Sequence, residues 1–106
     1  MTTKNLTIHA GSYFDEVIDL TGYRAITAGA TLKMRIARAP GYEALAEVVG
    51  GIGDDGTNVN GVVIIEDQVS ADWASMDGHY QITLHPKTKG LGHLVQQGRC
   101  TIKRKL

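Results

Sequence analysis

Ile18-Asp19-Leu20-Thr21-Gly22-Tyr23, answered a few residues later by Leu32-Lys33-Met34-Arg35-Ile36, decides how this chain is read. The first stretch is an extended segment that runs into a polar Thr-Gly turn. The second alternates apolar and basic residues with period two, the pattern of a strand with one face buried and one wet. Working outward, Leu6-Thr7-Ile8 reads as a strand stopped by Gly11, and Tyr13 to Ile18 as another. In that second strand Phe14 points inward, with Asp15 and Glu16 toward solvent. Thr31 to Ala37 forms a third, stopped by Pro40-Gly41.

Tyr42 to Val49 fits both a strand and one face of a short helix, and its turn-rich flanks favour the strand. The glycines make Gly50 to Gly56 a loop, and Val59 to Glu66 the strand after it. The Val62 to Ile65 run is apolar on both faces, as in a central strand or one covered by a partner. Ser70 reads as the cap of a short helical turn that brings Trp73 and Met76 to one face. Tyr80, Ile82 and Leu84 then alternate with His79, Gln81, Thr83 and His85. Pro86 to Gly92 leads to a last strand, Leu94 to Leu106, in which Gly98 marks a bulge. The expected core is Phe14, Leu32, Met34, Ile36, Ile64, Trp73, Tyr80, Ile82 and Leu84. These elements predict an all-β chain of about seven strands with one helical turn, folded as an antiparallel sandwich.

With 106 residues, residues 1–106 make one domain with one core. Thirteen glycines and few aromatics suit strands and turns. No apolar run approaches the roughly 20 residues needed to span a bilayer, and no apolar signal region follows Lys4, so synthesis and retention in a cytoplasm are expected. The single cysteine, Cys100, rules out an internal disulfide and reads as a small buried hydrophobe. Net charge is zero but unevenly spread. Residues 1–77 hold all eleven acids and five bases, a net of −6, and residues 78–106 hold six bases and no acid, a net of +6. Neutralisation inside one fold, where early and late strands are neighbours, is the first expectation, and contacts between copies are the second. The overall balance argues against nucleic acid as the main partner.

The ordered motifs resemble a group of small tailed-phage virion proteins. They are Gly11-Ser12-Tyr13-Phe14, Ile18 to Tyr23, Met34-Arg35-Ile36, Gly61 to Ile65, Val69 to Met76, Asp77 to Leu84, and Gln97 to Ile102. The chain is similar to the immunoglobulin-like N-terminal domain of phage baseplate upper proteins and related tail or fibre-associated proteins, over nearly its whole length. The resemblance implies an immunoglobulin-like β-sandwich. It also implies a structural role in the virion of a tailed bacteriophage (tail, baseplate, neck or collar, or fibre attachment), performed through contacts with other virion proteins and with copies of itself. Relatives continue from this domain into a long fibre or helix. Here the sequence stops at Lys103-Arg104-Lys105-Leu106, so it resembles the domain alone and a receptor-binding role is not implied.

The residues offer no constellation for catalysis. Gly51-Ile52-Gly53-Asp54-Asp55-Gly56 satisfies Gly-x-Gly-x-x-Gly, yet it runs toward a strand where a dinucleotide site needs a helix N-terminus, and its aspartates would repel phosphates. An EF-hand would need a glutamate six residues after Gly56, where Val62 stands. His79 and His85 share a strand face but lie roughly 20 Å apart at about 3.3 Å per residue, beyond one metal. His85 and His93 flank a hairpin without a nearby carboxylate. No serine has the setting that activates a nucleophile. The expectations are therefore no enzyme, no cofactor, no metal, no nucleic acid and no membrane, with a homo-oligomer inside the particle. The alternative is a small carbohydrate-binding or adhesion module, for which one Trp, one Phe and four Tyr are a thin supply of stacking surfaces. The candidate interface residues are Arg99, Lys103, Arg104 and Lys105 in the basic last strand, and Asp54 and Asp55 in the glycine-rich loop.

Overall fold

A computed structural model describes residues 1–87 and 92–104. Of these, 60% are strand and 11% helical, so the protein is all-β. Eight strands form one sheet: β1 (Thr2–Thr3), β2 (Leu6–Ala10), β3 (Phe14–Asp19), β4 (Thr31–Ala37), β5 (Ala44–Asp54), β6 (Val59–Ile65), β7 (Met76–His85) and β8 (His93–Arg104). Their order is β1-β8-β7-β4-β5-β6-β3, with β2 also on β8.

The sheet is mixed, not purely antiparallel. β1 and β2 both run parallel to β8, with Thr2 opposite Gln96 and Leu6 opposite Cys100, while the other pairs are antiparallel. The N-terminal segment meets β8 by crossing the whole domain rather than by a hairpin, and a long connection permits parallel pairing.

The sheet curls at β5. The first part of this strand pairs with β4, from Ala44 to Gly50, and the rest pairs with β6, from Gly51 to Asp54. Residues 50–54 are therefore strand, where the glycines suggested loop. Glycine here allows close approach instead: a Cβ on Gly50 would stand 2.6 Å from the Val62 carbonyl oxygen and 3.1 Å from Leu32 Cδ2. The turn itself is confined to 55–58.

Alternation sets the core. Leu32, Met34 and Ile36 on β4 and Tyr80, Ile82 and Leu84 on β7 are fully buried, in register as Leu32–Leu84, Met34–Ile82 and Ile36–Tyr80. Ile8, Val63, Ile65 and Ile102 close the cluster from other strands and Leu20 from the residue after β3, and Phe14 and Trp73 pack on it half-buried. Ile64 does not belong there: it is 41% exposed, and Val63 and Ile65 point inward. The unbroken apolar run of β6 carried no phase from which to choose. Ile82→Ala and Met34→Ala should each cost roughly 2–5 kcal/mol, because each leaves a cavity at a fully buried site. Urea unfolding checks this, with the midpoint expected to fall for both.

Other local readings change as well. The connection after β3 contains a 3-10 turn over Thr21–Tyr23 and a short helix α1 (Arg24–Thr27). It is pinned where Thr21 Oγ1 accepts from the Val59 amide at 3.1 Å. The second helix, α2 (Asp67–Ser70), ends at Ser70 instead of starting there. Ser70 is buried, and its Oγ accepts from the Gly11 amide at 2.9 Å, tying the β2–β3 turn to α2. The bulge in β8 falls near Val95, since Ile82 pairs with Gln96 and Thr83 with Leu94. Gly98 has a different purpose: a Cβ there would lie 2.1 Å from the Lys4 carbonyl oxygen.

Candidate functional site

The six candidate interface residues fall into two separated groups. Arg99 and Lys103 are exposed on β8, Lys103 opposite His9 of β2. Arg104 is also exposed, and its amide donates to Ser75 Oγ at 3.0 Å. Lys105 lies outside the described residues. Arg104 and Lys103 flank a shallow groove of about 570 Å³ that Ser75, Met76, Asp77, Thr101 and Ile102 also line.

Asp54 and Asp55 lie at the opposite end of the sheet. The ladders place Gly50 abreast of Leu32, Leu84 and His93, at the start of β8. From there to Lys103 is roughly 30 Å of strand at about 3.3 Å per residue. Both aspartates organise their own turn. Asp54 Oδ1 accepts from the Gly56 amide at 2.8 Å, and Asp55 Oδ1 from the Thr57 and Asn58 amides at 2.8 and 2.6 Å. The Asn58 and Thr57 hydrogen bonds hold the Asp55 carboxyl below the usual carboxylate range. Arg24 of α1 braces the same turn, donating to the Gly56 and Thr57 carbonyls and lying 3.8 Å from Asp54. Gly51 to Asp54 continue as strand into this turn, so no helix begins at the Gly-x-Gly-x-x-Gly match.

A buried polar cluster went unread in the sequence. Glu16, expected in solvent, is only 8% exposed. Alternation explains it: β3 presents Phe14, Glu16 and Ile18 to the interior, leaving Asp15 and Val17 outside. Glu16 Oε2 accepts from Lys4 Nζ at 2.9 Å and from Gln96 Nε2 at 2.9 Å. The same Gln96 nitrogen donates to the Tyr80 hydroxyl at 3.0 Å, and that hydroxyl donates to the Lys4 carbonyl at 2.6 Å. Burial pushes the Tyr80 phenol up, more than the Gln96 hydrogen bond lowers it, and the Glu16 charge adds to the rise. The hydroxyl therefore stays protonated and available as a donor. Every polar tip in the cluster has a partner, so it holds the N-terminal segment and β3 together across the open side of the sheet. A signal did exist, because the Phe14-x-Glu16-x-Ile18 alternation carries Glu16 inward with its neighbours.

Cys100 is buried, and burial pushes its thiol up to about 11, which keeps it unreactive at neutral pH. His79 is half-buried and its Nε2 has no hydrogen-bond partner among the described residues. Among the described residues, no three His, Cys, Asp or Glu side chains come together in a way that holds a metal ion.

The outer faces of the sheet differ in character. On β3 and β6, Val17 is 62% exposed and pairs with Val62, while Asp15 pairs with the exposed Ile64. Asp15 and Asp19 are exposed beside them, and neither strand carries a base. On β4 and β8 the outward residues include Lys33, Arg35, Arg99 and Lys103. Neutralisation within the fold does not account for the charge split. Among the described residues the ion pairs are Lys4–Glu16 and Arg24–Asp54, and neither uses a base from residues 78–104. The early strands beside β8, β1 and β2, carry no acid, and the acids of β3 stand at the other end of the strand order. No protein-family model matches this chain, and no curated protein matches its sequence.

Proposed function

We propose that this protein is a non-enzymatic structural component of a tailed-phage virion, placed in the tail, baseplate, neck or collar, or a fibre attachment, and acting through protein–protein contacts. The motif order from Gly11-Ser12-Tyr13-Phe14 to Gln97–Ile102 supports the reading through its resemblance to the phage domains. The observation that carries it is the charge left unneutralised on β8, where Arg99 and Lys103 are exposed and take part in no ion pair among the described residues. A surface of this kind steers and orients a charged partner more than it stabilises its own fold. In this reading the curled sheet is a variant of the immunoglobulin-like sandwich, with β5 as the strand shared by its two halves.

Mass spectrometry of purified particles from the source virus tests the proposal, and the chain is expected among the tail proteins. Its absence from particles that contain the other tail proteins would overturn the reading. The triple variant Lys103→Glu, Arg104→Glu, Lys105→Glu should fold normally, as judged by circular dichroism, and fail to enter particles.

A further inference from the structure

We infer that copies of this chain associate head to tail, the acidic, valine-rich outer face of β3 and β6 in one copy seating on the basic outer face of β4 and β8 in the next. The inference rests on the structural-subunit reading and supplies its partner: a second copy of the same chain.

Two complementary surfaces on one molecule carry it. The first presents Val17, Val62 and Ile64 between Asp15 and Asp19. The second presents Lys33, Arg35, Arg99 and Lys103, which outnumber the exposed acids on the same face, Glu47 opposite Arg35 and Asp77 opposite Thr101. Long basic side chains suit such a patch, because their methylene stems cover β-branched residues while their charged heads reach carboxylates at the border. A back-to-back pairing of the first face would also bury its valines, but it would set Asp15 and Asp19 of one copy against those of the other. Like charges brought together oppose that arrangement, and opposite charges favour the head-to-tail one. The contact is heterologous, since each copy uses one face to give and the other to receive. Repetition therefore closes into a ring or continues as a filament, according to the rotation between copies.

Sedimentation velocity of the full chain tests this. In about 20 mM salt the wild type should form species that grow with concentration, and in about 1 M salt, where screening reaches roughly 3 Å, it should run as a monomer. Asp15→Lys with Val17→Lys removes one face, and Arg99→Ser with Lys103→Ser removes the other. Each double variant should be monomeric with a circular dichroism spectrum like the wild type. An equimolar mixture of the two should form a 1:1 dimer that grows no further, because only one pair of faces remains intact. A wild type that is monomeric in low salt would overturn the inference, whatever the variants do. So would an Arg99→Ser, Lys103→Ser variant that associates as well as the wild type, which would indicate the back-to-back contact. Finding the chain in particles while the wild type stays monomeric would sink this inference alone. Absence from particles with association intact would sink only the virion reading.

Discussion

Tyr80→Ala should be the most damaging single substitution in the core, lowering stability by about 3–5 kcal/mol in urea unfolding. The ring is fully buried in β7, between Ile36 of β4 and Gly98 of β8. Its removal opens a cavity and at once strips the Lys4 carbonyl and the Gln96 amide of a partner. Tyr80→Phe separates the two contributions. It keeps the ring and should cost about 1–3 kcal/mol, the range for leaving buried polar groups unsatisfied. With so few kcal/mol to lose, about 5–15 for a typical domain, Tyr80→Ala brings the chain near the edge of folding. Equal midpoints for Tyr80→Phe and the wild type would show that the hydroxyl is not part of the clamp.

Gly98→Ala should be nearly as harmful although it adds a single methyl group. The new Cβ would lie 2.1 Å from the Lys4 carbonyl oxygen and 2.8 Å from its carbonyl carbon, so backbone has to move. Overpacking of this kind costs about 1–3 kcal/mol. The displacement also pulls on the Lys4 amide, which donates to the Gln97 carbonyl at 2.9 Å, and on the Tyr80–Lys4 hydrogen bond. The expected sum exceeds either term alone. Hydrogen exchange locates the damage: amides of Lys4 and of β2 should lose protection before those of β4 and β7. Uniform loss of protection would place the strain elsewhere.

These two residues show what the sequence discloses and what it withholds. Strict alternation made β4 legible to the residue, Thr31 to Ala37, and placed Tyr80, Ile82 and Leu84 inward. Local pattern failed where its phase was absent, as in the Val62 to Ile65 run, or where one residue type serves two ends. Glycine at 50 and 98 was read as loop and bulge, whereas both positions let another segment come close. Which strand lies beside which is not written in any local period, so the parallel attachment of β1 and β2 to β8 had no signature. The polar cluster was hidden for a related reason. Glu16, Gln96 and Lys4 are far apart in sequence, and a buried carboxylate becomes sensible only once its donors are known. Of the candidate interface residues, Arg99, Lys103 and Arg104 stand exposed. Asp54 and Asp55 are occupied in shaping their own turn.

The parallel pairing of β2 with β8 also governs how the domain bears force. In a parallel ladder the chain enters one strand and leaves the other at opposite ends. Tension applied through β2 and β8 therefore pulls the two strands past each other. Leu6–Cys100 through Ala10–Arg104 then resist together, five pairs in shear. An antiparallel pair loaded at adjacent ends would instead open one rung at a time, like a zipper.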